Sequence, residues 1–151
     1  MKIALINGPN INLLGRREKE IYGNTSLDLI YERIDKKFCS EDVSIIKYQS
    51  NIEGEIVNFI HEHINELDGV VLNPAGLSKC GYSLLDALNA LPTPYIEVHI
   101  SNVFKRGGWH AESIFFESAV GVIVGLETMV YDYGITAMID YINNRKAGDA
   151  E

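Results

Sequence analysis

Short apolar runs alternate along the chain with longer stretches in which apolar residues recur every three or four positions. Lys2 to Asn7 (KIALIN) is almost continuously apolar and reads as a strand buried on both faces. A polar, glycine-bearing loop follows from Gly8 to Asn24. From Thr25 to Ser40 the period changes. Leu27, Ile30, Tyr31, Ile34 and Phe38 fall on one helical face, with Thr25 or Ser26 available as the cap. Val43 to Gln49 predicts the second strand. Ile52 to Leu67 predicts a helix carrying Ile56, Phe59, Ile60, Ile64 and Leu67 in one stripe. Gly69 to Asn73 (GVVLN) predicts the third strand, and Leu84 to Leu91 a helix stopped by Pro92 and Pro94. Tyr95 to Ile100 and Gly121 to Leu126 (GVIVGL) predict the last two strands. A final helix is expected from Glu127 to Asn143. The domain is therefore expected to occupy 1–144, with 145–151 a disordered tail.

Strands apolar on both faces, alternating with amphipathic helices, imply a parallel sheet covered on both sides. Such units in 151 residues predict a single α/β domain. The expected architecture is flavodoxin-like, a five-stranded parallel sheet with helices on both faces. In doubly wound sheets ligands bind beyond the carboxyl ends of the strands. Four polar segments follow strand ends: Asn7 to Gly23, Asn73 to Tyr82, His99 to His110, and the chain from Leu126 onward. The fold is expected to bring at least the first three together.

Composition narrows the field. Hydrophobic residues make up 46% of the chain, enough for a real core. No run approaches the ~20 apolar residues of a membrane span. Ile3 to Ile6 is too short for a signal-peptide core, so the expected location is cytoplasmic, with no membrane partner. A formal net charge of −8 argues against nucleic acid as a partner. Cys39 and Cys80 form neither a disulfide framework nor a CxxC pair and are expected as free thiols.

Chemistry concentrates at the strand ends. Glu97 and His99, two apart on a strand, share a face. A carboxylate beside an imidazole holds its tautomer and makes it a better general acid near neutral pH. The same pair would also suit a core histidine satisfied by a carboxylate. His61 and His63 point to different faces of a helix, so the sequence gathers no metal-ligand cluster. The first loop, GPNINLLGRREKEIYG, holds Arg16, Arg17 and Tyr22. A phenol titrates near ~10, and a neighbouring guanidinium favours the phenolate, bringing it within reach of base work. The alternative is a charged surface loop with a packing tyrosine. The loop matches neither GxGxxG nor GxxxxGK[ST], which speaks against a nucleotide. Asn73, before Pro74, offers donor and acceptor to a ligand, or makes an Asx turn. His99-Ile100-Ser101-Asn102 could present successive backbone N–H groups to an anion. No G-x-S-x-G elbow occurs.

Taken together, GPNINLLGRREKEIYG, the NPAG turn, and IEVHISNV followed by GVIVGL closely resemble type II 3-dehydroquinate dehydratase, from Ile3 to about Tyr141. The order and spacing of the motifs are more specific than any one of them. The resemblance implies a flavodoxin-like subunit assembled as a homo-oligomer, a dodecamer of four trimers. It implies dehydration of 3-dehydroquinate to 3-dehydroshikimate by anti elimination, with no cofactor, metal or Schiff base. That reaction is a step of the shikimate pathway, shared by aromatic biosynthesis and quinate breakdown. Position by position, Tyr22 resembles the base that takes the C2 proton, and Arg17 the arginine that keeps it ionised. Asn10 resembles the residue holding a water against the enolate oxygen. His99 resembles the acid that protonates the departing C1 hydroxyl, with Glu97 its orienting partner. Asn73 and the backbone of Ile100 and Ser101 resemble the substrate carboxylate site. Asp86 matches an acidic residue that reaches a neighbour's site, and Arg106 a loop arginine.

Two substrate contacts depart from the family pattern. Lys79 stands in SKCG where the family usually has a His, and His110 in RGGWHAESIFFES where it usually has an Arg. Phe104 replaces a common His. These changes fit drift within one activity, dehydration of a different cyclic hydroxy-keto acid, or binding without turnover. Intact Arg17, Tyr22 and His99 speak against the last. A flavodoxin-like flavin carrier would need a Ser/Thr-rich phosphate loop, where this chain has Arg and Tyr. A regulatory binding module would tolerate loss of Tyr22.

Overall fold

The computed structural model describes residues 1–16, 25–40 and 42–148. Strands β1 (Lys2–Asn7), β2 (Ser44–Gln49), β3 (Gly69–Asn73), β4 (Tyr95–His99) and β5 (Gly121–Val124) form one sheet in the order β2-β1-β3-β4-β5. Every pairing is parallel. This is the expected flavodoxin-like order, and its direction of winding reverses between β1 and β3.

Helices α1 (Leu27–Phe38), α2 (Glu53–Glu62), α3 (Tyr82–Asn89), α4 (Val103–Arg106) and α5 (Met129–Gly148) fill the connections and the end of the chain. The sheet divides the core in two, as strand alternation requires. Ile3 and Leu5 of β1 face Ile30, Ile34 and Phe38 of α1 and Tyr131, Ile135 and Met138 of α5. Ala4 and Ile6 face the opposite way, onto Ile56, Phe59 and Ile60 of α2 and Leu84 and Leu88 of α3. Of the two caps open to α1, Ser26 serves: its hydroxyl accepts from Leu29 N at 3.3 Å.

The structure corrects several element ends. The second helix stops at Glu62, not Leu67. His63 N bonds back to Ile60 O at 3.2 Å and its ring Nδ1 donates to Phe59 O at 2.9 Å, turning the chain toward β3. The last helix begins at Met129 because Leu126 and Glu127 hold φ of 63° and 53°, outside the helical region. It continues to Gly148, so residues 145–148, expected in a disordered tail, are helical. Arg145 and Lys146 occupy the last turn, where cations complement the helix dipole. Lys146 Nζ lies 3.7 Å from Asp68. Residues 149–151 lie outside the described residues. Among the described residues no helix is long and apolar enough to cross a membrane.

Candidate active site

A cleft of about 300 Å³ opens over the carboxyl ends of β1, β3 and β4, at the reversal point of the sheet. The three loops expected to converge there all contribute to it.

Gly8 joins the first two. Its N donates to Asn73 O at 2.8 Å. A Cβ at this position would sit 2.3 Å from Pro74 O, so only glycine allows the loop after β1 to lie against the turn after β3. Asn10, at φ 68°, follows in the left-handed region that asparagine tolerates. Its N donates to Asn51 Oδ1 at 2.8 Å, and Gln49 Nε2 donates to the same oxygen at 3.1 Å. The loop after β1 is thus steadied from the end of β2.

His99 and Glu97 lie on one face of β4, as their spacing requires. His99 Nε2 is 2.7 Å from Glu97 Oε1, and Glu97 is fully buried. Ser113 Oγ donates to the same Oε1 at 2.7 Å while itself accepting from Phe115 N at 3.2 Å. One carboxylate oxygen therefore takes two hydrogen bonds, and Nδ1 is the imidazole nitrogen left for a ligand. Beyond His99 the chain turns through Ile100 and Ser101. Gly125 N donates to His99 O at 2.9 Å and Ser101 O at 3.2 Å, fixing that turn.

Of its two readings, Asn73 makes the Asx turn. Its Oδ1 accepts from Ala75 N at 3.3 Å, an Asx turn, and its Nδ2 donates to Tyr131 OH at 2.7 Å. The second Nδ2 hydrogen remains for a ligand. Burial pushes the Tyr131 phenol well above its ordinary range, so it stays neutral.

The outer wall is cationic. Lys79, Arg106 and His110 line it. Arg106 lies 2.9 Å from His110 Nε2 and donates to Ser101 Oγ at 3.4 Å. Trp109 stacks on His110 with centroids 3.8 Å apart. Lys79 Nζ is enclosed and has no hydrogen-bond partner among the described residues, and the same holds for Glu97 Oε2. Burial lowers the Lys79 pKa, against the opposing pull of Glu112 and Glu97.

Of the residues singled out in the sequence, Asn10, Asn73, Lys79, His99, Ile100, Ser101, Arg106 and His110 meet in the cleft, with Glu97 behind His99. Asp86 is exposed on α3 and does not line it. Arg17 and Tyr22 lie outside the described residues. Sequence reasoning missed Ser113, Tyr131 and Asn51. Ser113 sits in a segment without period, and Tyr131 is indistinguishable by pattern from a core aromatic.

The family model described as "Dehydroquinase class II" matches residues 1–139. A 3-dehydroquinate dehydratase of Halothermothrix orenii is 44% identical over 141 residues, 93% of this chain and 95% of that protein. One from Aliarcobacter butzleri is 42% identical over 147 residues, 97% of this chain and 90% of that protein. The crystal structure of the type II dehydroquinase from Butyrivibrio crossotus superimposes with a TM-score of 0.86 at 41% identity, covering 95% of this chain and 97% of that one.

Proposed function

Because this chain belongs to the class II dehydroquinase family, it is a lyase that dehydrates 3-dehydroquinate, and we propose that Tyr22 and His99 are its base and acid. The observation that carries the acid assignment is the buried 2.7 Å contact between His99 and Glu97 at the floor of the strand-end cleft.

Removal of a proton next to a ketone needs a base, a stabilised enolate and an acid for the leaving hydroxyl. The Tyr22 phenolate, kept ionised by Arg17, takes the C2 proton, and the electron pair moves onto the C3 oxygen. Asn10 holds a water against that oxygen. As the enolate collapses, the C1–oxygen bond breaks and His99 gives its proton to the departing hydroxyl, releasing water and the conjugated enone 3-dehydroshikimate. Glu97, oriented by Ser113, supports the imidazolium before that transfer. The substrate carboxylate sits at Asn73 and the backbone of Ile100 and Ser101. Lys79, Arg106 and His110 face the ring hydroxyls. The identity to named 3-dehydroquinate dehydratases supports reading Lys79 and His110 as drift within this activity.

Asp86 supports an oligomer, because its exposed position on α3 suits a neighbour's cleft better than its own. A dodecamer of trimers and a cytoplasmic location complete the reading. The exposed, unpaired Cys39 and Cys80 suit a reducing compartment.

The test is to mix protein of known solution mass with 3-dehydroquinate and follow the enone's ultraviolet absorbance. Turnover by an oligomer, cut about a hundredfold or more in Tyr22→Phe, is the expected result. Turnover within a few-fold of wild type in that variant removes Tyr22 as the base, and full activity from a monomer removes the shared site.

A further inference from the structure

Asn7 and Asn73 are register partners at the carboxyl ends of β1 and β3. Between their side chains stands the hydroxyl of Tyr131, delivered from the first turns of α5. All three residues are at most 3% exposed. Tyr131 OH donates to Asn7 Oδ1 at 2.7 Å and accepts from Asn73 Nδ2 at 2.7 Å. Asn7 Nδ2 donates to Tyr31 OH at 3.2 Å.

These bonds admit one consistent arrangement. Ala75 N donates to Asn73 Oδ1, which forbids the flipped Asn73 amide and leaves Nδ2 facing Tyr131. With that lone pair of Tyr131 occupied by a donor, its own proton needs an acceptor. Asn7 supplies one only with Oδ1 toward Tyr131 and Nδ2 toward Tyr31. Flipping Asn7 would strand a buried hydroxyl proton, which proteins avoid. A neutral phenol, rather than an ionisable group, is what such a fixed relay needs.

We infer that Tyr131 is a positioning residue: its hydroxyl, clamped by Asn7, presets the Asn73 amide so that the remaining Nδ2 hydrogen meets the anionic group of the substrate. This rests on the reading of Asn73 as a carboxylate contact. Tyr131 never touches substrate. It acts by removing the rotational freedom Asn73 would otherwise lose on binding.

Tyr131→Phe keeps the ring and deletes the hydroxyl. A carboxylate contact is made alike in the ground and transition states, so KM rises about tenfold while kcat stays within about twofold. Asn73→Ala shows the same split, and the double variant is no worse than Asn73→Ala alone, because the two act through one contact. Additive effects, or wild-type KM in Tyr131→Phe beside a raised KM in Asn73→Ala, overturn the inference alone. Wild-type KM in Asn73→Ala overturns the reading of Asn73 and the inference with it. If Tyr131→Phe does not fold, Asn7→Leu removes the acceptor of the hydroxyl proton and tests the same clamp by the same split.

Discussion

At the strand ends, Asn73, Glu97 and His99 are 3%, 0% and 8% exposed; Asn73 bonds to Tyr131 of α5, Glu97 to Ser113, and His99 to Glu97 beside it on β4. Across the cleft, Lys79, Arg106, Trp109 and His110 stand on short helical turns, and Trp109 is 63% exposed. Gly107 and Gly108, at φ 66° and 56°, let that wall turn sharply between Arg106 and Trp109. The floor is fixed by the sheet and by Tyr131 and Ser113 bonded behind it, as the proposed proton transfer requires. The wall's contacts include those of Arg106 with His110 and Ser101 and of Trp109 with His110 and Lys79, and its side chains stand on separate short turns that can change without disturbing the floor. Two of the departures from the family pattern, Lys79 and His110, fall on the wall.

The largest effect expected from breaking the floor is on chemistry. His99→Ala removes the proposed acid, and kcat should fall about a hundredfold or more, the usual worth of such a group. Circular dichroism and a thermal melt show whether the fold persists. A rate within a few-fold of wild type would mean that another group protonates the leaving hydroxyl.

The next effect is on stability. Gly8→Ala forces a Cβ against the Pro74 carbonyl, where backbone rather than a flexible side chain must give way. A cost of about 2 kcal/mol or more is expected, read as a lower melting temperature. Gly76 lies in the wall, and among the described residues nothing comes within 4 Å of a Cβ built there. Gly76→Ala should change stability by less than about 0.5 kcal/mol, as open surface positions do. Equal losses in the two variants would erase the distinction between floor and wall.

The floor was also the more legible half of the molecule. The apolar runs of β1 and β3 and the two-residue spacing of Glu97 and His99 state their geometry locally, because strand alternation is strict. The cleft followed from the rule for strand ends. Helix ends were less legible because tertiary contacts set them. Ile64 and Leu67 continue the apolar stripe of α2, yet they pack from a turn. The chain must bend there to reach Asp68, whose N donates to Lys2 O at 2.8 Å. The supporting residues were least legible. Tyr131 carries the same helical spacing as Ile135 and Met138, and only the folded structure puts its hydroxyl between two asparagines. The wall's short turns, with no period to read, were absent from the sequence reading.

Lys79 sharpens the comparison from the wall side. Lys79 Nζ is enclosed, with the Trp109 ring 6.0 Å away and no hydrogen-bond partner among the described residues, which costs stability, and the Lys79 pKa is lowered by that burial from 10.5. The folded protein then binds fewer protons than the unfolded chain between the lowered pKa and 10.5. Stability contributed by this site therefore rises with pH through that window. Lys79→Met keeps the length and apolar stem while deleting the charge. Its melting temperature should exceed that of wild type at pH 7, and the gain should shrink as pH approaches 10.5. With Lys79 at a ring hydroxyl, as proposed, KM should rise several-fold with kcat little changed, because such a contact holds ground and transition states alike. A lower melting temperature at pH 7 would mean that Lys79 is paired in solution. A kcat loss as large as that of His99→Ala would place Lys79 in the chemistry and move the boundary between floor and wall.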